Sequence, residues 1–231
     1  MSRKAWIIGA SSGIGAALAD QMGGAGWQVV RSARSKGDLL VDISDDASVK
    51  SAAEQYLNSY GDFDLVVVMA GFWKQMGAKD FSLEIFKEHQ NTNTIGLARC
   101  VASVLPRMIE KNSGTFVGVS SVAGFRGMGG SAGYGPSKAA QLNLLESLRV
   151  DLAKTNVKVL SVAPGFVETP MTAVNKFPMP FIISADKAAK YIIEGINRST
   201  PEIVFPPKMA ITMKIAKLVP HRIWPKLFKR G

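Results

Sequence analysis

A chain of 231 residues with 47% hydrophobic content is long enough to bury a sizeable core and too apolar to be disordered. Its net charge of +10 is local: seven of the 28 basic residues lie between Lys208 and Arg230 with no acid among them, leaving 21 basic against 18 acidic elsewhere. A single cysteine, Cys100, excludes an intramolecular disulfide and a CxxC metal motif, and His89 and His221 alone do not make a zinc site.

Strand and helix patterns alternate from the start. Ala5–Gly9 is a short apolar run ending in glycine, and Ile14–Met22 suits a helix. Gln28–Ser32 and Asp38–Ile43 follow as strands, then a polar helix, Asp46–Ser59. Leu65–Met69 is continuously apolar, as a parallel strand buried on both faces would be. A long helical region runs from about Ser82 to Lys111, followed by strand Thr115–Ser120 and helix Ser137–Lys154. Strands Lys158–Val162 and Glu202–Phe205 flank a last helix, Ala185–Asn197. This alternation predicts a Rossmann-like, doubly wound α/β domain with a mostly parallel sheet. Ala33–Gly37 is too short for a helical crossover, so the second and third strands are joined by a tight loop.

Gly9-Ala10-Ser11-Ser12-Gly13-Ile14-Gly15 lies between the first strand and first helix. Gly9 permits a tight turn, Gly13 lets main chain approach a pyrophosphate, and Gly15 lets helix and strand pack closely. The helix start then offers unpaired N–H groups to an anion. This turn, with Ser11, Ser12 and Ile14, is predicted to cradle a dinucleotide.

The G-x-x-x-G-x-G spacing resembles the short-chain dehydrogenase/reductase family, and the likeness extends to about Pro207. It implies a catalytic domain over residues 1–207 and a separate basic, apolar tail over 208–231. The second strand ends in Arg31-Ser32-Ala33-Arg34-Ser35-Lys36, without a carboxylate to bind a ribose 2′-OH. By alignment to the family, Arg34 takes the position that contacts a 2′-phosphate, so NADP(H) is expected over NAD(H). Asp42 and Ile43 resemble the pair that frames the adenine, and Ala70 and Gly71 the small residues beside the cofactor. Val167 and Thr169 resemble the turn that grips the carboxamide.

Tyr134 and Lys138 stand four residues apart at a helix start, which places them on one face. A nearby cation lowers a phenol's pKa, suiting Tyr134 to give or take a substrate proton while Lys138 also holds the nicotinamide ribose. Ser121, thirteen residues before Tyr134, matches the family serine that polarises the carbonyl, with Ser120 as the alternative. Asn93 matches the family asparagine that supports a water-mediated proton relay to the lysine, with Asn91 as its neighbour.

Val68-Met69-Ala70-Gly71 replaces the family's usual Asn-Asn-Ala-Gly, which puts the rigidity of that wall in question. Residues Met171–Ile183, with Phe72, Trp73 and Phe125, suggest an apolar lid over an apolar ketone or aldehyde. The resemblance implies a homo-oligomer, a dimer or tetramer. No metal and no nucleic-acid partner are expected, and the chain is expected to be cytoplasmic. The 208–230 segment suggests either peripheral membrane contact or packing on the body. A catalytically silent dinucleotide sensor or scaffold is the alternative function, and a nucleotide-sugar epimerase or dehydratase a third.

Overall fold

The computed structural model describes residues 2–228. The chain begins with β1 (Lys4–Ile8), α1 (Gly13–Gly24), β2 (Gln28–Ala33) and a two-residue β3 (Leu39–Leu40). Then come α2 (Asp46–Tyr60), β4 (Leu65–Val68), α3 (Leu83–His89), α4 (Gly96–Lys111) and β5 (Thr115–Val119). The second half holds α5 (Tyr134–Asp151), β6 (Lys158–Pro164), β7 (Val167–Glu168), α6 (Pro170–Ala173) and β8 (Ile183–Ser184). It closes with α7 (Ala185–Asn197), β9 (Glu202–Phe205) and α8 (Pro207–Leu218). Seven strands pair in parallel in the order β3-β2-β1-β4-β5-β6-β9, and β7 and β8 form a separate ladder. The winding reverses between β1 and β4, which opens a crevice beyond their C-terminal ends.

Alternation along each strand supplies both sides of the sheet. On β1, Trp6 and Ile8 pack with Tyr56 of α2, Leu97 of α4 and Leu145 of α5. Ala5 and Ile7 point the other way, toward Leu18 of α1 and Ile192 of α7. Trp6 is fully buried, and its indole N–H donates to Ser32 Oγ at 2.7 Å, which satisfies both polar groups in the core.

Two boundaries differ from the sequence expectation. The third strand shrinks to two residues because Gly37 turns with φ +133° and Asp38 Oδ2 accepts from the Arg31 N–H, consuming the residues that would lengthen it. The long helical region is continuous but not uniform: Gln90–Ile95 forms a π-helical turn between α3 and α4. Such a widened turn changes which side chains face inward, and Asn93 within it is fully buried.

The tail is partly built into the body. Met209, Met213 and Ala216 of α8 pack with Val122, Phe125 and Ala163. Arg126 donates to the carbonyls of Ala216 and Lys217, and the Trp224 indole to that of Gly127. Lys229 and Arg230, counted with the basic tail, lie outside the described residues. Among the described residues no helix is long and apolar enough to cross a membrane.

Candidate active site

The crevice holds a cleft of about 430 Å³. Gly9 sits at φ +97°, and a Cβ there would lie 2.5 Å from the Ala70 backbone nitrogen, so the turn tolerates only glycine. A Cβ on Gly15 would collide with the Gly9 carbonyl oxygen. Ser12 opens α1, yet its side chain makes no capping bond. The first N–H groups of the helix therefore meet the cleft without a side-chain acceptor, an arrangement that fits a pyrophosphate. Gly9, Ser11, Ser12, Gly13, Ile14 and Gly15 all line this end.

Arg34, Asp42 and Ile43 line the far end, where the β2–β3 loop is open. Hydrogen bonding from Ser44 holds the Asp42 carboxyl below its ordinary range, with smaller help from the Arg34 and Arg99 charges. Ala70, Gly71, Val167 and Thr169 line the middle. The wall that lacks the usual asparagines is tied by backbone instead: the Met69 and Ala70 N–H groups both donate to the Ile8 carbonyl, at 2.8 and 3.0 Å.

Ser121, Tyr134 and Lys138 meet at the floor. Ser121 ends the stretch after β5 and caps a short 3-10 turn by accepting from the Ala123 N–H. Its neighbour Ser120 is committed to the Lys138 carbonyl at 2.7 Å, whereas Ser121 Oγ donates to the Pro164 carbonyl at 3.4 Å and acts against the rise in the Tyr134 pKa. Lys138 Nζ lies 5.5 Å from the centre of the Tyr134 ring. The sequence expectation that this cation lowers the phenol is corrected here. Burial raises Tyr134 to about 12, outweighing the Ser121 hydrogen bond, and burial lowers Lys138 to about 7.

Asn93 lies behind this floor rather than on the cleft surface. Its Oδ1 accepts from the Phe72 N–H at 2.7 Å, and its Nδ2 donates to the Phe72 carbonyl and to Ser137 Oγ. It thus pins the segment after β4 to α5. Asn91 instead holds Arg99 through its side-chain oxygen at 3.0 Å.

Two residues escaped the sequence reading. Gln141, buried in α5, accepts from Lys138 Nζ at 2.9 Å and donates to the Asn93 carbonyl at 2.6 Å. A side-chain amide thus bridges the two groups that the resemblance joins through water. A glutamine at i+3 from the lysine gives little signal in the sequence, because it suits a solvent-facing position equally well until the helix face is known. His89 is fully buried beside Phe72 and Trp73, with its ring centre 6.1 Å from that of Tyr134. Its Nδ1 donates to the Ile85 carbonyl and its Nε2 accepts from the Lys74 N–H, which sets one neutral tautomer, and burial lowers its pKa.

Trp73 packs edge-on against Tyr134 at 4.9 Å and donates to Asn175 Oδ1, linking the floor to the lid. The lid starts at α6, capped reciprocally by Thr169 and Thr172, and its base closes through the β7–β8 pairing. Met171, Val174, Phe181 and Ile182 along it are exposed.

A parallel sheet with its winding reversal at β1, a glycine turn on a helix start and a Ser–Tyr–Lys floor define the class: a Rossmann-like oxidoreductase. The family described as short chain dehydrogenase matches residues 3–177. A protein named as an oxidoreductase from Myxococcus xanthus is 35% identical over 99% of this chain and 97% of its own. The 3-oxoacyl-(acyl-carrier-protein) reductase of Escherichia coli is 30% identical over 73% of this chain and 75% of its own. A short-chain dehydrogenase/reductase from Burkholderia phymatum, solved with NAD, superposes with a TM-score of 0.84 at 22% identity, covering 92% of each chain. The chain belongs to the short-chain dehydrogenase family.

Proposed function

We propose that this protein interconverts an apolar ketone or aldehyde and the matching alcohol, using NADP(H) in preference to NAD(H). The observation that carries the reading is the convergence of Ser121, Tyr134 and Lys138 on one floor of the cleft, under a cover rich in apolar side chains. The relative named as a 3-oxoacyl reductase agrees with a carbonyl substrate.

The glycine turn and the start of α1 would hold the pyrophosphate, Arg34 the 2′-phosphate, and Val167 and Thr169 the carboxamide end. When bound, the cofactor supplies or accepts the hydride. The remaining chemistry belongs to the chain. Ser121 donates a hydrogen bond to the substrate oxygen, and Tyr134 passes its hydroxyl proton to that oxygen in reduction or takes it back in oxidation. A protonated Lys138 beside the ring would lower the cost of the phenolate left behind, without cancelling the burial that holds Tyr134 above its ordinary value. Asn93 and Gln141 hold the lysine's surroundings in place. The NADP(H) preference rests on Arg34 and on Ala33 in the acidic position; the Burkholderia neighbour was solved with NAD.

The test is NADPH and NADH oxidation against a panel of apolar ketones and aldehydes, with Tyr134→Phe as control. NADPH-dependent turnover that drops by about 10²-fold or more in the variant is the expected result. Cofactor binding without turnover on any carbonyl would move the assignment to the sensor alternative.

A further inference from the structure

Helix α8 is apolar on two opposite sides. Met209, Met213 and Ala216 share one face and are buried in the body. At about 3.6 residues per turn, Ile211, Ile215 and Leu218 fall on the opposite side. Those three are 60%, 59% and 83% exposed. A helix that is apolar all round normally has both faces covered, because each exposed stripe orders water unfavourably. Here the body covers one.

The outward stripe has a distinct electrostatic setting. Lys208 and Lys214 border it, and in the segment after α8 Ile223 and Leu227 are also exposed, among Arg222 and Lys226. No acidic residue follows Glu202 anywhere in the sequence. The same face of a second copy would set cation against cation in a symmetric contact, so self-association is a poor match. Nucleic acid would use the cations but leave the isoleucines and leucines in water. A surface that presents phosphates above hydrocarbon matches both sets at once.

We propose that this face of α8 and the segment after it docks on an anionic lipid bilayer. Ile211, Ile215 and Leu218 enter the boundary between headgroups and acyl chains, while the flanking lysines meet lipid phosphates. The first turn of α8 lies beside the cover of the cleft. Lys208 Nζ stands 5.9 Å from the ring centre of Phe181 in the lid, and Met209 packs on Gly165, which lines the cleft. An apolar substrate dissolved in the bilayer would then have a short path to Tyr134, a step that rests on the proposed carbonyl chemistry although the docking does not.

Co-sedimentation of the full chain with vesicles tests the docking. Phosphatidylcholine vesicles with added phosphatidylglycerol should pellet the protein, vesicles of phosphatidylcholine alone should not, and high salt should release it. The double variant Ile215→Ser, Leu218→Ser should partition more than about tenfold more weakly, with unchanged thermal unfolding because both side chains point away from the core. Equal pelleting by neutral vesicles, no pelleting by either, or unchanged pelleting of the variant overturns the proposal. So does a dimer that the variant abolishes, or retention on duplex DNA without pelleting. These readouts do not involve turnover, so they fail or succeed independently of the reductase assignment.

Discussion

The Lys138 ammonium donates to Gln141 Oε1 at 2.9 Å, one helical turn further along α5, and the other end of the same amide donates to the Asn93 carbonyl at 2.6 Å. A lysine can only donate and a carbonyl can only accept, so the amide has one orientation and locks both neighbours. Besides Gln141, Lys138 Nζ has the Val119 carbonyl at 3.1 Å.

Gln141→Leu should therefore destabilise the charged lysine, lowering its pKa further and reducing kcat by about tenfold or more, the scale of one hydrogen bond to a charged group. Gln141→Glu should move the lysine pKa back up by placing a carboxylate beside it. The pH dependence of kcat in the three proteins checks this. Superimposable profiles would remove any role for Gln141 beyond packing.

Lys138 also makes folding stability depend on pH. Its folded pKa, about 7, lies below its ordinary value of 10.5. Between those values the unfolded chain binds a proton that the folded chain does not, so stability rises as pH rises from 7 toward 10.5. Tyr134, raised from 10 to about 12, acts oppositely above pH 10, where the unfolded phenol ionises first. Thermal unfolding from pH 7 to 10 should show a rising Tm for the parent protein and a flatter profile for Lys138→Met. Equal slopes would mean that Lys138 stays charged in the folded state.

Arg34→Ala should weaken NADPH binding about tenfold or more while leaving NADH nearly unaffected, since only the former brings a 2′-phosphate. Adding Ala33→Asp should reverse the preference by offering an acceptor to the 2′-OH and repelling the phosphate. Cofactor titration followed by fluorescence distinguishes the two. Parallel weakening of both cofactors would place Arg34 elsewhere in the binding mode.

Met213→Ala should lower stability by about 2–5 kcal/mol, because its side chain fills space between α8 and the buried Val122 and Phe125. Ile211→Ala, on the exposed face of the same helix, should change stability by less than about 0.5 kcal/mol. Chemical denaturation of both variants is the measurement. Similar losses at the two positions would mean that α8 is covered on both sides in solution.

Much of the fold was legible because the signals were local. Apolar runs such as Leu65–Met69 announce doubly buried strands, and the glycine turn needs backbone angles that other residues resist. The widened turn at Gln90–Ile95 was invisible, because a π-turn and an α-turn draw on the same residue types and differ only in hydrogen-bond register. The shortened β3 was likewise hidden, since the Asp38 to Arg31 bond that ends it joins residues whose contact depends on the turn at Gly37.

By itself the sequence determined the sheet's alternating plan, the glycine turn before α1 and the placement of Tyr134 and Lys138 on one helix face, since each follows from spacing along one or two adjacent elements. Only the tertiary structure decided that Ser120 is committed to the Lys138 carbonyl, that Gln141 bridges Lys138 to Asn93, and that burial drives the phenol and the ammonium toward their neutral forms. It alone also divided α8 into a seated face and a bare one. Those outcomes depend on groups far apart in sequence sharing one desolvated space, and desolvation is a property of the packed assembly rather than of any segment.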